Sequence, residues 1–337
     1  MTESIEGTPS EATGAVTTLQ QAASSIREGK GFDALTSALA LAHGVPVPPS
    51  IIRRIRECAG RLLSGTFNSA LRYVERHTER LDFEAKVQRD LVVKAANEGL
   101  AHLPDETKHA IAMGFLNEYA LKLENKSAVV AEALTSIAHE EALEDEHPDA
   151  EISKDWLNHF SDVAAQKCDP EMRRLMGRIL AGEIRQPGSY SPLTIQRMST
   201  LTSQAATLFE RLSHVVAFVD DGAMAVMTEH EYEAGKGFPE LKISWTELAL
   251  LASYGLLETA HATQWHQDGP ESMSVRGRKF IAKSKSGNQV EIYGYLLSES
   301  GREIYQLLDF SDYFDFDKWV QSRLVPYGIE IDTSAAP

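Results

Sequence analysis

Residues 155–191 read DWLNHFSDVAAQKCDPEMRRLMGRILAGEIRQPGSYS, and this stretch decides how the chain is built. Trp156, Phe160, Val163 and Ala164 stand at i, i+4, i+7 and i+8, the spacing that turns one helix face into a core. Asp169-Pro170-Glu171 predicts a fresh helix start. The aspartate accepts first-turn amide N–H groups, Pro170 needs no amide partner, and Glu171 meets the positive end of the helix dipole. That helix buries Met172, Leu175, Met176, Ile179 and Leu180. Gly177 and Ala181, four residues apart, leave a groove where another backbone can approach closely. Gln186-Pro187-Gly188 stops the helix, and Ser191-Pro192 opens a short one. Residues 204–217 carry Ala205, Leu208, Phe209 and Leu212 on one face, so 151–218 is expected to form a four-helix unit.

Toward the N-terminus, residues 1–13 lack aromatics and periodicity and read as disordered. Residues 14–50 read as a weak helix closed by the proline-rich linker VPVPPS at 45–50. The region 51–150 reads as helical. IIRRIRECAGRLL lays Ile51, Ile52, Ile55, Cys58, Ala59, Leu62 and Leu63 on one face, and a second helix is expected over 83–101. Asp105 is expected to cap a third that runs to Lys126, with a fourth from Ser127 to about Leu143. HEEALEDEHPDAE at 139–151 reads as an acidic helix end and loop, ended by Pro148.

Toward the C-terminus the periodicity changes after Gly237. Ser244-Trp-Thr-Glu247 is a capping box, in which the serine and glutamate side chains satisfy each other's backbone donors. The helix it opens stops at Gly255, and Leu256-Leu257-Glu258 is expected as a strand. VRGRKFIAKSK and QVEIYGYLL alternate like strands and are expected to form a hairpin through Ser286-Gly287-Asn288. Ser298 then opens a helix. Residues 219–325 are taken as one α+β domain, whose end docks through Phe316, Trp319, Val320 and Leu324. Residues 326–337 are a tail.

Two resemblances follow from these residues. The Trp156 helix followed by LAGEI-x-x-PGSYS resembles a bacterial family catalogued only as a domain of unknown function. That resemblance implies a fold unit and no activity, and suggests an accessory role such as phage defence. The order helix, Gly-Leu-Leu-Glu, hairpin, then L-x-S-x-x-G-R-E-x-Y-x-L-L over roughly 240–309 resembles the closing half of a winged helix-turn-helix.

Composition narrows the function. The start of the chain is polar and small, unlike a secretory leader, and no apolar run reaches the roughly 18 residues of a membrane span. Two cysteines, Cys58 and Cys168, make no disulfide framework, and a reducing cytoplasm is the expected home. The net charge is −16, and residues 201–337 carry 20 acidic against 11 basic groups. Such a surface repels phosphate backbones unless a local basic patch wins.

Each candidate constellation has a plainer reading beside it. Glu106-x-x-His109, Glu144-x-x-His147 and Glu258-x-x-His261 have the spacing of di-iron carboxylate helices. They fall at a helix start, in an acidic loop and in an expected strand, so no metal site is expected. The two cysteines lie on or beside apolar faces and read as small buried hydrophobes. No nucleophile elbow and no phosphate-binding loop is present, and no catalytic residue or cofactor is assigned. Arg276, Arg278, Lys279, Lys283 and Lys285 would line the wing, the basis of a DNA-binding alternative. The helix before that hairpin, SWTELALLASY, offers no Lys or Arg for base or phosphate contact. Arg53, Arg54, Arg56 and Arg61 beside Ile51 and Ile55 could ride an anionic membrane, although a packed helix with wet arginines is the stronger reading.

The reading is therefore a mainly α-helical cytoplasmic protein that ends in a winged-helix-like α+β domain. Its expected role is non-enzymatic interaction or self-association, with DNA-binding and metal-dependent enzymatic alternatives. Trp156, Gly177, Ala181, Glu183, Arg185, Pro187, Gly188, Tyr190 and Ser191 are the candidate interaction residues. For Glu183 the plainer reading is that it accepts a hydrogen bond from the next helix start near Ser191, with Arg178 or Arg185 neutralising it.

Overall fold

The computed structural model describes residues 47–63, 104–138, 145, 147–219, 222–235, 237–268, 271–275, 278–284, 289–308, 315–327 and 329–332. The helices expected over 16–42 and 83–101, the disordered 1–13 and the turn 286–288 lie outside them. The chain divides between Ser189 and Tyr190 into two compact units. Among the described residues no helix is long and apolar enough to cross a membrane.

The first unit is helical: α1 (Pro49–Leu63), α2 (Asp105–Ala138), α3 (Lys154–Ala165) and α4 (Pro170–Arg185). The apolar stripe of α1 is buried at Ile51, Ile55, Cys58 and Leu62 and packs on α2, α3 and α4. Trp156 stacks on Phe160 one turn along α3, with ring centroids 5.0 Å apart and planes at 11°. Asp169 caps α4 through the amides of Glu171 and Met172, with Pro170 in the first turn, as the sequence predicts.

The third and fourth expected helices are one continuous α2 of 34 residues, roughly 50 Å long. Neither glycine nor proline interrupts 115–138. Ser127, read as a boundary, instead donates its hydroxyl to the Leu123 carbonyl one turn back at 2.8 Å, which satisfies it inside a helix. The core of α2 is its second half, at Val129, Val130, Ala133, Leu134 and Ile137.

The second unit is α+β. Helices α5 (Pro192–Thr200) and α6 (Ser203–Ser213) lead into β1 (Val216–Val219) and β2 (Gly222–Met227). Then come α7 (Glu229–Ala234), α8 (Trp245–Ser253), β3 (Thr263–Asp268), β4 (Glu271–Val275), β5 (Arg278–Ser284) and β6 (Gln289–Leu296). Helices α9 (Glu299–Tyr305) and α10 (Phe316–Arg323) and strand β7 (Ile329–Asp332) finish it. The seven strands form one antiparallel sheet in the order β3-β6-β2-β1-β4-β5-β7.

The sheet corrects three expectations. Helix 204–217 ends at Ser213, because Val215-Val216-Ala217-Phe218-Val219 is β-favouring and pairs with β2 instead. The hairpin of 275–285 with 289–297 does not form: β5 pairs with β4 and β7, and β6 with β2 and β3. Val275 pairs with Arg278, so the strand expected over 275–285 is cut after its first residue, with only Arg276-Gly277 between the partners. With β4 on one side and β7 on the other, β5 has no free edge left for β6. Finally, Leu256-Leu257-Glu258 forms a single bridge, Leu257 to Leu297, and no strand.

The Ser244–Glu247 capping box is present, with the Glu247 carboxylate 2.7 Å from the Ser244 amide. Ser298 caps α9 through the Gly301 amide at 3.0 Å. The buried centre of this unit lies at Phe209, Val216, Ala225, Val226, Leu248, Leu251 and Ile304.

Candidate functional site

The closest-knit polar geometry of the first unit gathers at the end of α4. Glu183, 2% exposed, accepts the Gly188 amide at 2.8 Å. Gly188 has φ of +89°, where a side chain would be strained, so the corner requires glycine there. Ser189 closes the turn, its amide and hydroxyl both reaching the Gln186 carbonyl. Arg185 turns its Nε back onto the Ala181 carbonyl at 3.4 Å. Glu183, Arg185, Pro187 and Gly188 are thus brought together in one corner. Glu183 takes its amide from Gly188; the Ser191 amide goes to Glu303 of the second unit at 2.9 Å.

The residue that organises this corner was missed. Arg54 is 1% exposed, and its guanidinium spends its donors on three segments. Nη1 reaches the Ile184 and Arg185 carbonyls, both at 3.0 Å, at the negative end of the α4 dipole. Nε reaches the Ala150 carbonyl at 3.1 Å, and Nη2 the His147 carbonyl at 2.6 Å. The counter-charge is Asp145, whose side chain is 4% exposed and lies 3.2 Å from Nη2. Burial alone would raise the Asp145 carboxyl. The Ser50 hydroxyl, Arg54 and the His147 amide outweigh it and hold the group below its ordinary value.

The other candidates are placed as follows. Trp156 and Tyr190 are buried in the cores of their own units. A Cβ on Gly177 would strike the Glu132 side chain and stand 3.0 Å from the Ala133 amide, so the small-residue groove is filled by α2 of the same unit. Ser191 caps α5 through the Thr194 amide at 3.2 Å.

Arg54 also removes the membrane reading of 51–63: its charge and the Ile51–Ile55 stripe are interior, while Arg53 and Arg61 engage the Pro148 carbonyl and Asn158. Cys58 is buried, and burial, then the charges of Glu57 and Glu183, push its thiol far up. Cys168, expected to be buried, is exposed. It precedes the Asp169 cap and so falls off the α4 face.

Among the described residues no three His, Cys, Asp or Glu side chains gather as a metal site would require. Glu258 and His261 are both exposed, in irregular chain rather than a strand. The side chains of Glu106 and His109, and Glu144 altogether, lie outside the described residues. Of the basic wing set, Arg276 and Lys285 lie outside them too. Arg278, Lys279 and Lys283 fall on β5, where the register sets Lys283 opposite Glu330 of β7.

In the second unit Arg323, also 1% exposed, pairs with Glu231 and with Glu240 at 3.2 Å and lies over the Phe238 ring. Glu231 is already the capping-box partner of Thr228, so this cluster too is committed to holding segments together. Among the described residues, packing also leaves the outer face of α8 uncovered. Trp245 is 46% exposed and Leu250 40%, with Thr246 and Ser253 exposed beside them. That face carries no charge, in a chain whose net charge is −16.

A family model described as "Protein of unknown function (DUF2806)" matches residues 117–319, a span that takes in α3, α4 with its corner, and the α8 face. No curated protein and no solved structure matches the chain. With three-fifths of its length so matched, the chain belongs to the DUF2806 family.

Proposed function

We propose that this is a non-enzymatic interaction protein that acts by docking a protein partner, and that the outer face of α8 is its contact surface. The observation that carries this is the uncharged exposed face of Trp245, Thr246, Leu250 and Ser253. Covering a half-exposed tryptophan removes on the order of 100 Å² of apolar surface from water, worth about 2–3 kcal/mol. Tryptophan is also the residue type most enriched where interfaces concentrate their binding energy.

The surrounding unit is read as winged-helix-like, supported by the order α8, Leu257–Leu297 bridge, β6 and Ser298-capped α9. In this reading the helix that would enter a DNA groove serves assembly instead. It has no Lys or Arg, and the basic positions of β5 lie beside an acidic β7. A bacterial cytoplasm is the proposed setting, and an accessory role such as phage defence the proposed context.

The test places a photo-cross-linking residue at Leu250 and, as control, at exposed Leu121 in the first unit. A discrete protein adduct from position 250 alone, lost on Trp245→Glu, is expected. Equal adducts from both positions, or salt-resistant retention of the chain on duplex DNA, would sink the reading.

A further inference from the structure

The two edges of the second unit's sheet, β3 and β7, treat an approaching strand differently. An edge strand presents a row of unpaired amides and carbonyls, which proteins blunt with charge, proline, bulges or short length. β7 is four residues, Ile329-Glu330-Ile331-Asp332, with an acid at every second position. β3 is six residues, Thr263-Gln264-Trp265-His266-Gln267-Asp268. It runs in unbroken one-to-one register with β6, from Thr263 opposite Gly294 to Asp268 opposite Gln289, so no bulge turns it away. It holds no lysine, arginine or proline, and its single acid comes last. Among the described residues no strand lies on its outer side.

We propose that β3 is a self-association edge, pairing antiparallel with β3 of a second copy of this chain across a two-fold axis. This goes beyond the reading of α8 and does not depend on it.

Charge and register select the occupant. Two copies of a chain at −16 repel at long range, so they can meet only where acid does not oppose acid. In an antiparallel pair, opposed residues are either both hydrogen-bonded or both not, and these types alternate along each strand. A two-fold axis must therefore pass through a residue position and not between two. For β3 the positions giving most overlap are Trp265 and His266. Centred on Trp265, Thr263 meets Gln267 and Gln264 meets His266. Centred on His266, Gln264 meets Asp268 and Trp265 meets Gln267. Neither register opposes like charges at neutral pH. For β7, centring on Glu330 sets it against itself, and centring on Ile331 sets Glu330 against Asp332. Self-pairing is thus blocked at one edge and open at the other.

A pair of five residues is small beside the roughly 1,200 Å² at the low end of stable interfaces. The association is therefore concentration-dependent, and added salt strengthens it by screening the repulsion between the two acidic bodies.

The test uses the full chain in sedimentation velocity and hydrogen exchange over a wide concentration range. A monomer–dimer equilibrium is expected, favoured by salt, with amides of 263–268 gaining protection as the dimer forms. The double substitution Gln264→Glu with His266→Glu sets carboxylates against each other in either register, at 264 and 266 when centred on Trp265, and at 266 and against Asp268 when centred on His266. It should weaken association by at least about tenfold, since opposed like charges are costly at an interface. Charged side chains are natural on edge strands, so an unchanged melting temperature is expected for the variant. A chain monomeric at every concentration overturns the proposal. So does a dimer whose protection falls outside β3 or persists in the double variant. Protection of 263–268 independent of concentration also overturns it, because another segment of the same chain would then cover the edge.

Discussion

Replacing Arg54 by methionine keeps most of the side-chain volume and removes every donor from the α4 corner. The Ile184, Arg185, Ala150 and His147 carbonyls lose their shared partner, and Asp145, 4% exposed, loses its counter-ion. Breaking one side of a buried ion pair costs about 3–5 kcal/mol, because the remaining charge stays buried and unpaired. For a unit of this size that is a fall in melting temperature of roughly 10 °C. Adding Asp145→Asn removes the stranded charge, so the double variant should be more stable than Arg54→Met alone.

The sign of the pH dependence separates this account from simple loss of packing. In the native chain the Asp145 carboxyl is held below its unfolded value, so its stabilisation is present above about pH 4 and is lost as pH falls through the folded value. In Arg54→Met the lowering that Arg54 supplies is gone, so the carboxyl rises relative to the native chain while burial, the Ser50 hydroxyl and the His147 amide still act on it. The penalty of the substitution is then greatest at neutral pH and shrinks on acidification. Because the chain has two units, hydrogen exchange of peptides spanning 147–150 and 184–188 is the measurement that isolates the corner. A penalty below about 1 kcal/mol, or one that does not change between neutral and mildly acidic pH, would refute the assignment of Arg54 as the organiser.

Two further outcomes follow from single sites. Gly177→Leu drives a side chain into Glu132 and the α2 backbone at Ala133, so it should cost about 1–3 kcal/mol in thermal melting with particle mass unchanged. A smaller particle with an unchanged melting temperature would instead make the groove an assembly surface. Thiol labelling of the native chain should modify Cys168 and spare Cys58, which reacts only on unfolding because burial keeps its thiol protonated. Equal labelling of both would contradict the packing of α1.

The caps were legible because their chemistry is local. Asp169-Pro170, Ser191-Pro192, Ser244–Glu247 and Ser298 each act on amides within three residues, and each is where its sequence places it. The boundary at Ser127 was misread because serine is also satisfied inside a helix by the carbonyl one turn back. Strands β1 and β2 were hidden by the short segment Val215–Val219, which is equally an apolar helix end until its partner is known. Arg54 could have been found. It stands three residues after Ile51 and one before Ile55, inside the apolar stripe, where an exposed arginine has no place. What no spacing revealed was its partners, which lie 91 to 131 residues away. The uncharged character of α8 was legible, but its exposure was not, since Leu248 and Leu251 on the same helix are fully buried.

Arg54 and Arg323 solve one problem in two ways, and the difference bears on what each unit tolerates. Both are 1% exposed guanidiniums joining segments far apart in sequence, a task for which the fixed fork of five donors suits arginine and not lysine. Arg54 meets one carboxylate and four carbonyls, so its site is electrically neutral and rigidly specified by backbone. Arg323 meets two carboxylates, but Glu240 is 66% exposed and stays hydrated. The desolvated pair there is Arg323 with Glu231, and Glu240 contributes only a screened attraction. Removing Glu240 should therefore cost little and removing Glu231 much, since Glu231 also satisfies the Thr228 amide at 2.7 Å. At Arg54 no partner is peripheral in that way. The corner that carries LAGEIRQPGSYS is held by interactions that each need their own backbone geometry, which is a physical reason for so specified a sequence.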